Sequence, residues 1–286
     1  MNDEQVITVA GVRSPFLARG PSAAREAVVF VHGNPGPKED WEGLLERLDP
    51  GIRAFAPDMP GYGAADRPRD FEYTVDGYAR HLAGLLDAAG IERAHLVLHD
   101  FGGPWGLRWA ADHLGRTASV TLINTGVLLG YRWHKFARIW QTPLLGELFM
   151  AGASRSMLKR MLNSENPKPF PEEFIDRIHR NSDRGNKRAV LKLYRATRKV
   201  AEMSQQLSGL LLQADLPALV VFGAADPYIP APMAEVQRQT FPRADVHVLE
   251  GLGHWPFIDD VEQVAALVVP FLRGQCGAGA AAVPSK

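Results

Sequence analysis

Short apolar runs alternate with longer segments of helical period along most of this chain, and that alternation leaves few architectures open. The runs predict strands at Val6–Val12, Ala27–Val31, Ile52–Pro57, Ala94–His99, Ser119–Asn124, Ala218–Phe222 and Asp245–Leu249. Several are unbroken apolar stretches such as Val28-Val29-Phe30-Val31, the pattern of parallel strands covered on both faces. Helical patterns lie between them at Trp41–Leu48, Thr74–Ala89, Pro104–Leu114 and Val261–Leu272. The expected fold is α/β, a mostly parallel central sheet flanked by helices.

The alternation stops between Gly126 and about Leu212, where only helical patterns occur: Trp133–Thr142, Leu144–Lys159, Pro171–Arg180 and Lys187–Lys199. A helical block inserted between two sheet strands reads as a cap over the C-terminal edge of the sheet, where open α/β sheets bind their ligands. The expected division is a core of residues 1–126 and 213–275 with a helical cap of residues 127–212. The small residues from Gly274 onward offer little to bury, so a disordered tail is expected, over residues 276–286 in that division.

Charge and composition narrow the function. The 32 basic side chains match 32 acidic ones, which argues against nucleic acid or an anionic membrane as partner, since both select an excess of Lys and Arg. The single cysteine, Cys276, cannot form an internal disulfide. The first residues lack the basic and apolar blocks of a signal peptide, and no apolar stretch approaches the roughly 20 residues that span a bilayer. These features together predict a soluble, cytoplasmic protein. No phosphate-cradling glycine loop or metal-ligand spacing is present in the sequence, so no cofactor and no metal are expected.

Three turns then draw attention. In Leu96-Val97-Leu98-His99-Asp100-Phe101-Gly102-Gly103 an apolar strand runs straight into a helix, with Asp100 at the apex and two glycines to let the turn close. Asp also caps helices well, and on its own the segment fits either role. His32-Gly33-Asn34-Pro35-Gly36-Pro37 follows another strand and can aim backbone N–H groups at a developing oxyanion. Gly223-Ala224-Ala225-Asp226-Pro227 and Gly251-Leu252-Gly253-His254-Trp255 follow the last two strands, bringing a carboxylate and an imidazole to the same edge. Asp226 alone would read as a turn residue before Pro227. The chain order is apex residue, acid, histidine.

In these motifs, from about Val6 to Leu272, the chain resembles the α/β-hydrolase superfamily, and within it the branch of epoxide hydrolases and haloalkane dehalogenases that uses an Asp nucleophile. The resemblance implies catalytic roles for Asp100, Asp226 and His254, with the backbone N–H groups of Asn34 and Phe101 as oxyanion hole. Where relatives place the acid one strand earlier, this chain has Ile123-Asn124-Thr125 and no carboxylate.

The apex carboxylate has a chemical consequence. A serine attacking saturated carbon would give an ether that does not turn over, whereas a carboxylate gives an ester that water can cleave. Asp100 therefore points to displacement at an sp³ carbon, with His254 activating water against the ester and Asp226 orienting His254. The substrate is expected to be a small apolar or moderately polar molecule, consumed with water. An opening epoxide needs an acidic O–H donor; a departing halide needs N–H donors in a dry pocket. Tyr194, just before Arg195, looks like the cap tyrosine of epoxide hydrolases, with Tyr131 the candidate for a second. Asn34 resembles the halide-contacting Asn of dehalogenases, but Phe101 stands where most of them carry Trp, leaving Trp133 or Trp140 to substitute. Epoxide hydrolysis is the preferred expectation and haloalkane dehalogenation the alternative. A hydrolase fold reused as a non-catalytic ligand-binding protein is the alternative of a different class.

Overall fold

The computed structural model of the chain describes residues 5–280. Its strands are β1 (Gln5–Val9), β2 (Val12–Arg19), β3 (Glu26–Val31), β4 (Ala54–Pro57), β5 (Arg93–His99), β6 (Thr117–Ile123), β7 (Ala218–Gly223) and β8 (Asp245–Leu249). They form one sheet in the order β1-β2-β4-β3-β5-β6-β7-β8. The pairs β1/β2 and β2/β4 are antiparallel and every later neighbour is parallel. This is the mostly parallel α/β sheet that the apolar runs anticipate.

Helices α1 (Glu42–Leu45), α2 (Val75–Ala88) and α3 (Gly102–Asp112) precede β6. Between β6 and β7 come α4 (Lys135–Gln141), α5 (Leu145–Ala151), α6 (Arg155–Glu165), α7 (Glu172–Asn181), α8 (Arg184–Ala196) and α9 (Val200–Leu212). After β7 lie α10 (Pro232–Val236), α11 (Pro256–Asp259) and α12 (Val261–Ala280). Alternate residues of each central strand enter two cores, because successive side chains point to opposite faces. Val29 and Val31 of β3 pack with Leu82 of α2, Leu107 of α3 and Leu211 of α9; Val28 and Phe30 pack with Leu45 of α1 and Val264, Val268 and Leu272 of α12. With both faces covered, the central strands have no reason to alternate polar and apolar residues.

Four expectations need correction. Val6–Val12 is not one strand: Ala10 and Gly11 both have positive φ (48° and 79°) and turn the chain into a β1–β2 hairpin. Such a two-residue turn matches the twist of paired strands. Leu144–Lys159 is two helices, α5 and α6, broken before Ser154, whose Oγ accepts from the Met157 amide and starts α6. α9 belongs to the sheet-flanking layer, packed on α3, so the inserted block ends before 212. The last helix runs through the start of the expected tail to Ala280, because Cys276 lies one turn beyond Leu272 and continues its apolar stripe onto the core. Residues 281–286 lie outside the described residues. Among the described residues, no helix is long and apolar enough to cross a membrane.

Candidate active site

Because β3, β5, β6, β7 and β8 are mutually parallel, the loops after Val31, His99, Ile123, Gly223 and Leu249 all leave at one edge. Asp100 sits between β5 and α3 with φ 49°, the left-handed conformation of a sharp strand-to-helix turn. The turn closes only because Gly102 and Gly103 lack side chains. A Cβ on Gly102 would lie 2.0 Å from the Val31 carbonyl oxygen, and one on Gly103 would lie 1.9 Å from Thr125 Oγ1. Thr125 Oγ1 donates to the Asp100 carbonyl at 2.5 Å and holds the turn from the other side.

The carboxylate of Asp100 faces two partners. Its Oδ1 accepts from the Asn34 amide at 2.6 Å, and its Oδ2 lies 3.4 Å from His254 Nε2. A side chain on Gly33 would come within 2.4 Å of Asp100 Oδ1 and 2.6 Å of the Phe101 nitrogen, so glycine there keeps the space between the carboxylate and both amides open. His254 Nδ1 is 2.7 Å from Asp226 Oδ2. Asp226 in turn accepts from Asn124 Nδ2 (2.7 Å) and from the amides of Tyr228 (2.7 Å) and Ile229 (3.0 Å). Asp100, His254 and Asp226 thus form one line, a 3.4 Å ion-pair contact on one side of the imidazole and a hydrogen bond on the other, with the Asp226 side chain fully buried.

Burial alone would strip the charge from these groups. For His254 it is outweighed by the Asp226 charge and by the hydrogen bond to Asp100, and the imidazole is raised to about 10. For Asp100, burial pushes the carboxyl up, but the hydrogen bond and charge of His254 win and hold it below its ordinary range. The resting site is an imidazolium between two carboxylates. His99 lies against the same ring at 4.7 Å and is driven to about 3, chiefly by burial; neutral, it donates from Nε2 to the His254 carbonyl at 2.8 Å. His32 Nε2 accepts from the Met59 amide at 3.0 Å and supports its own turn.

A cavity of ≈ 110 Å³ opens in front of Asp100 and His254. Its far wall comes from α4 to α8 and includes Phe136, Trp140, Phe149, Met161 and Ile178. Tyr194 of α8 lines it, buried, with its oxygen accepting from Asn34 Nδ2 at 3.4 Å and its ring edge-on to Phe101 at 5.0 Å. Burial and the nearby Asp100 charge raise its phenol well above 10. The Asn34 amide contacts Asp100, and Phe101 lines a pocket beside it.

Two sequence candidates are engaged elsewhere. Tyr131 donates its hydroxyl to the Tyr228 carbonyl at 2.9 Å and lines a smaller neighbouring pocket. The Trp133 indole donates to the Thr197 carbonyl at 2.9 Å, so its N–H does not face the cavity as a leaving-group donor. Backbone acceptors reached through the fold explain both departures. Conversely, two residues given no role in the sequence, Asn124 and His134, matter here, and of the two tryptophans Trp140 is the one at the cavity. Asn124, with φ 45° at the end of β6, bridges Asp226 and the Gly223 amide. His134 lines the cavity; its Nδ1 accepts from the Ala137 amide, and burial keeps it near 4, so the neutral ring carries its proton on Nε2. Trp140 also lines the cavity, and its buried Nε1 has no partner among the described residues. In the sequence Asn124 showed only as the absence of a carboxylate and His134 only as one residue of a helical pattern.

The family described as alpha/beta hydrolase fold matches residues 26–261. Among curated proteins, the chain is 28% identical to a 2-hydroxy-6-oxo-6-phenylhexa-2,4-dienoate hydrolase of Burkholderia cepacia, over 86% of this chain and 87% of that one. It is 25% identical to epoxide hydrolase A of Mycobacterium tuberculosis, over 95% and 97%. Among solved structures, a haloalkane dehalogenase of Bradyrhizobium elkani superposes with a TM-score of 0.83 at 24% identity, covering 96% of this chain and 98% of that one. That likeness is one of fold.

Proposed function

From the premise that the chain belongs to the α/β-hydrolase family, we propose that it is an epoxide hydrolase working through an ester on Asp100. Asp100 attacks an epoxide carbon; the ester C–O bond forms as the ring C–O bond breaks, and the freed oxygen takes a proton from Tyr194. His254 then deprotonates a water that adds to the ester carbonyl at Asp100. The oxyanion of that tetrahedral intermediate is held by the amides of Asn34 and Phe101, and its collapse returns the carboxylate and releases a diol. Helices α4 to α8 act as the cap that excludes bulk water.

The observation that carries this reading is the state of Tyr194. Its oxygen already accepts from Asn34 and its ring lines the cavity with Asp100, so its own proton is free for a substrate bound there. His134, neutral with a proton on Nε2, supplies a second donor in the same cavity, where Tyr131 does not. The likeness to epoxide hydrolase A supports the same chemistry. Haloalkane dehalogenation is the second reading, favoured by two N–H donors on the cavity wall, Asn34 Nδ2 and Trp140 Nε1.

His254→Gln separates them, since it leaves attack intact and blocks ester cleavage. Intact-protein mass after incubation with a panel of epoxides is expected to rise by the whole epoxide, and not in an Asp100→Asn background. A gain of bromoalkane minus hydrogen bromide instead would transfer the assignment to the dehalogenase reading. No adduct from either panel refutes Asp100 as nucleophile.

A further inference from the structure

At the end of the sheet away from Asp100, three metal-ligating side chains from distant parts of the sequence converge. Glu26 opens β3, His95 lies early in β5, and Cys276 lies toward the end of α12; their ligand atoms all fall within 4.8 Å of one another. His95 Nε2 is 2.8 Å from Glu26 Oε1, and His95 Nδ1 is 2.8 Å from Ser119 Oγ on β6. The imidazole is buried, while Glu26 and Cys276 are half-buried. Arg93 stands 3.8 Å from the other oxygen of Glu26, on the exposed side.

We propose that Glu26, His95 and Cys276 form a binding site for a zinc-class divalent cation that ties the last helix to the sheet. The donor set decides the metal class: one sulfur, one imidazole nitrogen and one carboxylate oxygen suit zinc, whereas magnesium and calcium demand oxygen alone. Bonds of about 2.0–2.3 Å around a tetrahedral ion set its ligand atoms about 3.3–3.7 Å apart, so the cluster has to contract by about 1 Å. A thiolate and a carboxylate balance the double charge, and a solvent molecule completes the fourth corner. Ser119 makes the imidazole ready. Its hydroxyl can accept from Nδ1–H as well as donate, so the ring proton moves to Nδ1 when Nε2 takes the ion. The one proton released comes from the Cys276 thiol, which burial and the Glu26 charge hold at about 11 without metal.

Because Cys276 is the only cysteine in the chain, a thiolate–metal signal reports this site alone. Reduced, chelator-treated full-length protein is titrated with Co²⁺. One equivalent is expected to produce sulfur-to-cobalt charge-transfer absorption with the visible bands of tetrahedral cobalt, displaced by Zn²⁺. Cys276→Ser should abolish the charge-transfer band while circular dichroism stays native. Ser119→Ala should weaken binding about 10–100-fold, as loss of a partner behind a ligating histidine does. Zn²⁺ should raise Tm in the wild type and not in Cys276→Ser. Absence of the band from folded wild-type protein, or its survival in Cys276→Ser, would overturn the assignment.

Discussion

Asp226→Asn changes one atom and inverts two contacts. The carboxylate accepts four hydrogen bonds: Oδ1 takes the amides of Tyr228 and Ile229, and Oδ2 takes Asn124 Nδ2 and His254 Nδ1. An asparagine can keep its oxygen toward the two amides, but its NH₂ then faces two donors. Asn124 cannot simply flip, because its own Oδ1 accepts from the Gly223 amide at 2.9 Å. His254 can relieve its side of the conflict only by giving up its Nδ1 proton and keeping the one on Nε2, the nitrogen that faces Asp100 at 3.4 Å. That tautomer has no lone pair for water. At about 1.5 kcal/mol or more for each hydrogen bond to a charged group, two inverted contacts cost about 3 kcal/mol of stability. A serine hydrolase whose base is held in the wrong tautomer loses about 10⁴ in turnover. Attack by Asp100 needs no base, so the variant should form the ester at a rate within about tenfold of wild type and cleave it about 10³–10⁴ times more slowly. Rapid-quench mass spectrometry of the protein reads both steps, and urea unfolding reads the stability. Wild-type turnover with no trapped ester would refute the role given to Asp226. An ester that fails to form in a folded variant would refute the separation of the two steps.

Other perturbations follow from the same geometry. His254 is raised to about 10 by Asp226 and Asp100, from 6.5 when free, so its ion pairs stabilise the fold fully below about pH 6.5 and lose that contribution as pH climbs toward 10. The urea midpoint should fall across that window and fall less in Asp226→Asn. The depressed carboxyl of Asp100 works in the opposite sense, stabilising above the ordinary carboxylate range and losing that effect as pH drops through its lowered pKa. Gly102→Ala forces a methyl to within 2.0 Å of the Val31 carbonyl, part of the backbone. It should cost about 1–3 kcal/mol in unfolding experiments and displace Asp100 enough to abolish ester formation. Tyr194→Phe should slow ester formation from epoxides by about 10²–10⁴ in single turnover while leaving ester cleavage nearly unchanged; an unchanged first step would remove Tyr194 from the mechanism.

The parts of this structure legible in the sequence are those dictated by local pattern. Unbroken apolar runs such as Val28–Val31 mark strands buried on both faces, and parallel strands deliver their loops to one edge. That is why Asp100, Asp226 and His254 could be grouped before any distance was known. What stayed hidden depends on partners that local pattern does not encode. The helical patterns end at Lys199, and nothing local shows that α9 follows them and lies on α3. Tyr131, Trp133 and Tyr194 are equivalent as aromatic donors; the carbonyls of Tyr228 and Thr197 separate them, and those carbonyls arrive from other segments. The Ala10-Gly11 turn lacks the Asn-Gly signal of a hairpin, and Pro15 interrupts the run that would have marked β2.

An imidazolium raised to about 10 cannot itself act as a base, and the way out of that state bears on the substrate. Two carboxylates hold the proton on His254, and ester formation neutralises one of them, removing the hydrogen bond and the charge of Asp100 together. The proton is released at the moment an opening epoxide needs one. Tyr194 delivers its own proton to the alkoxide, but a tyrosinate there is strongly disfavoured, since burial and Asp100 raise the phenol well above 10. Transfer from His254 to the phenolate settles both demands: Tyr194 is restored, and His254 becomes the neutral base for the second step. Carboxylate, imidazolium and epoxide become ester, imidazole and alcohol, with no proton left over. A bromoalkane offers no such acceptor. Bromide departs as an anion, and the imidazolium proton has to leave for solvent. A stopped-flow experiment with excess enzyme and a pH indicator at neutral pH distinguishes the two during the first, ester-forming phase. Epoxides should give no proton release in that phase; a bromoalkane that reacts should release one per ester. A full proton taken up from solution as the epoxide ester forms would show that His254 rests neutral, and the proposed proton route from His254 through Tyr194 would fall.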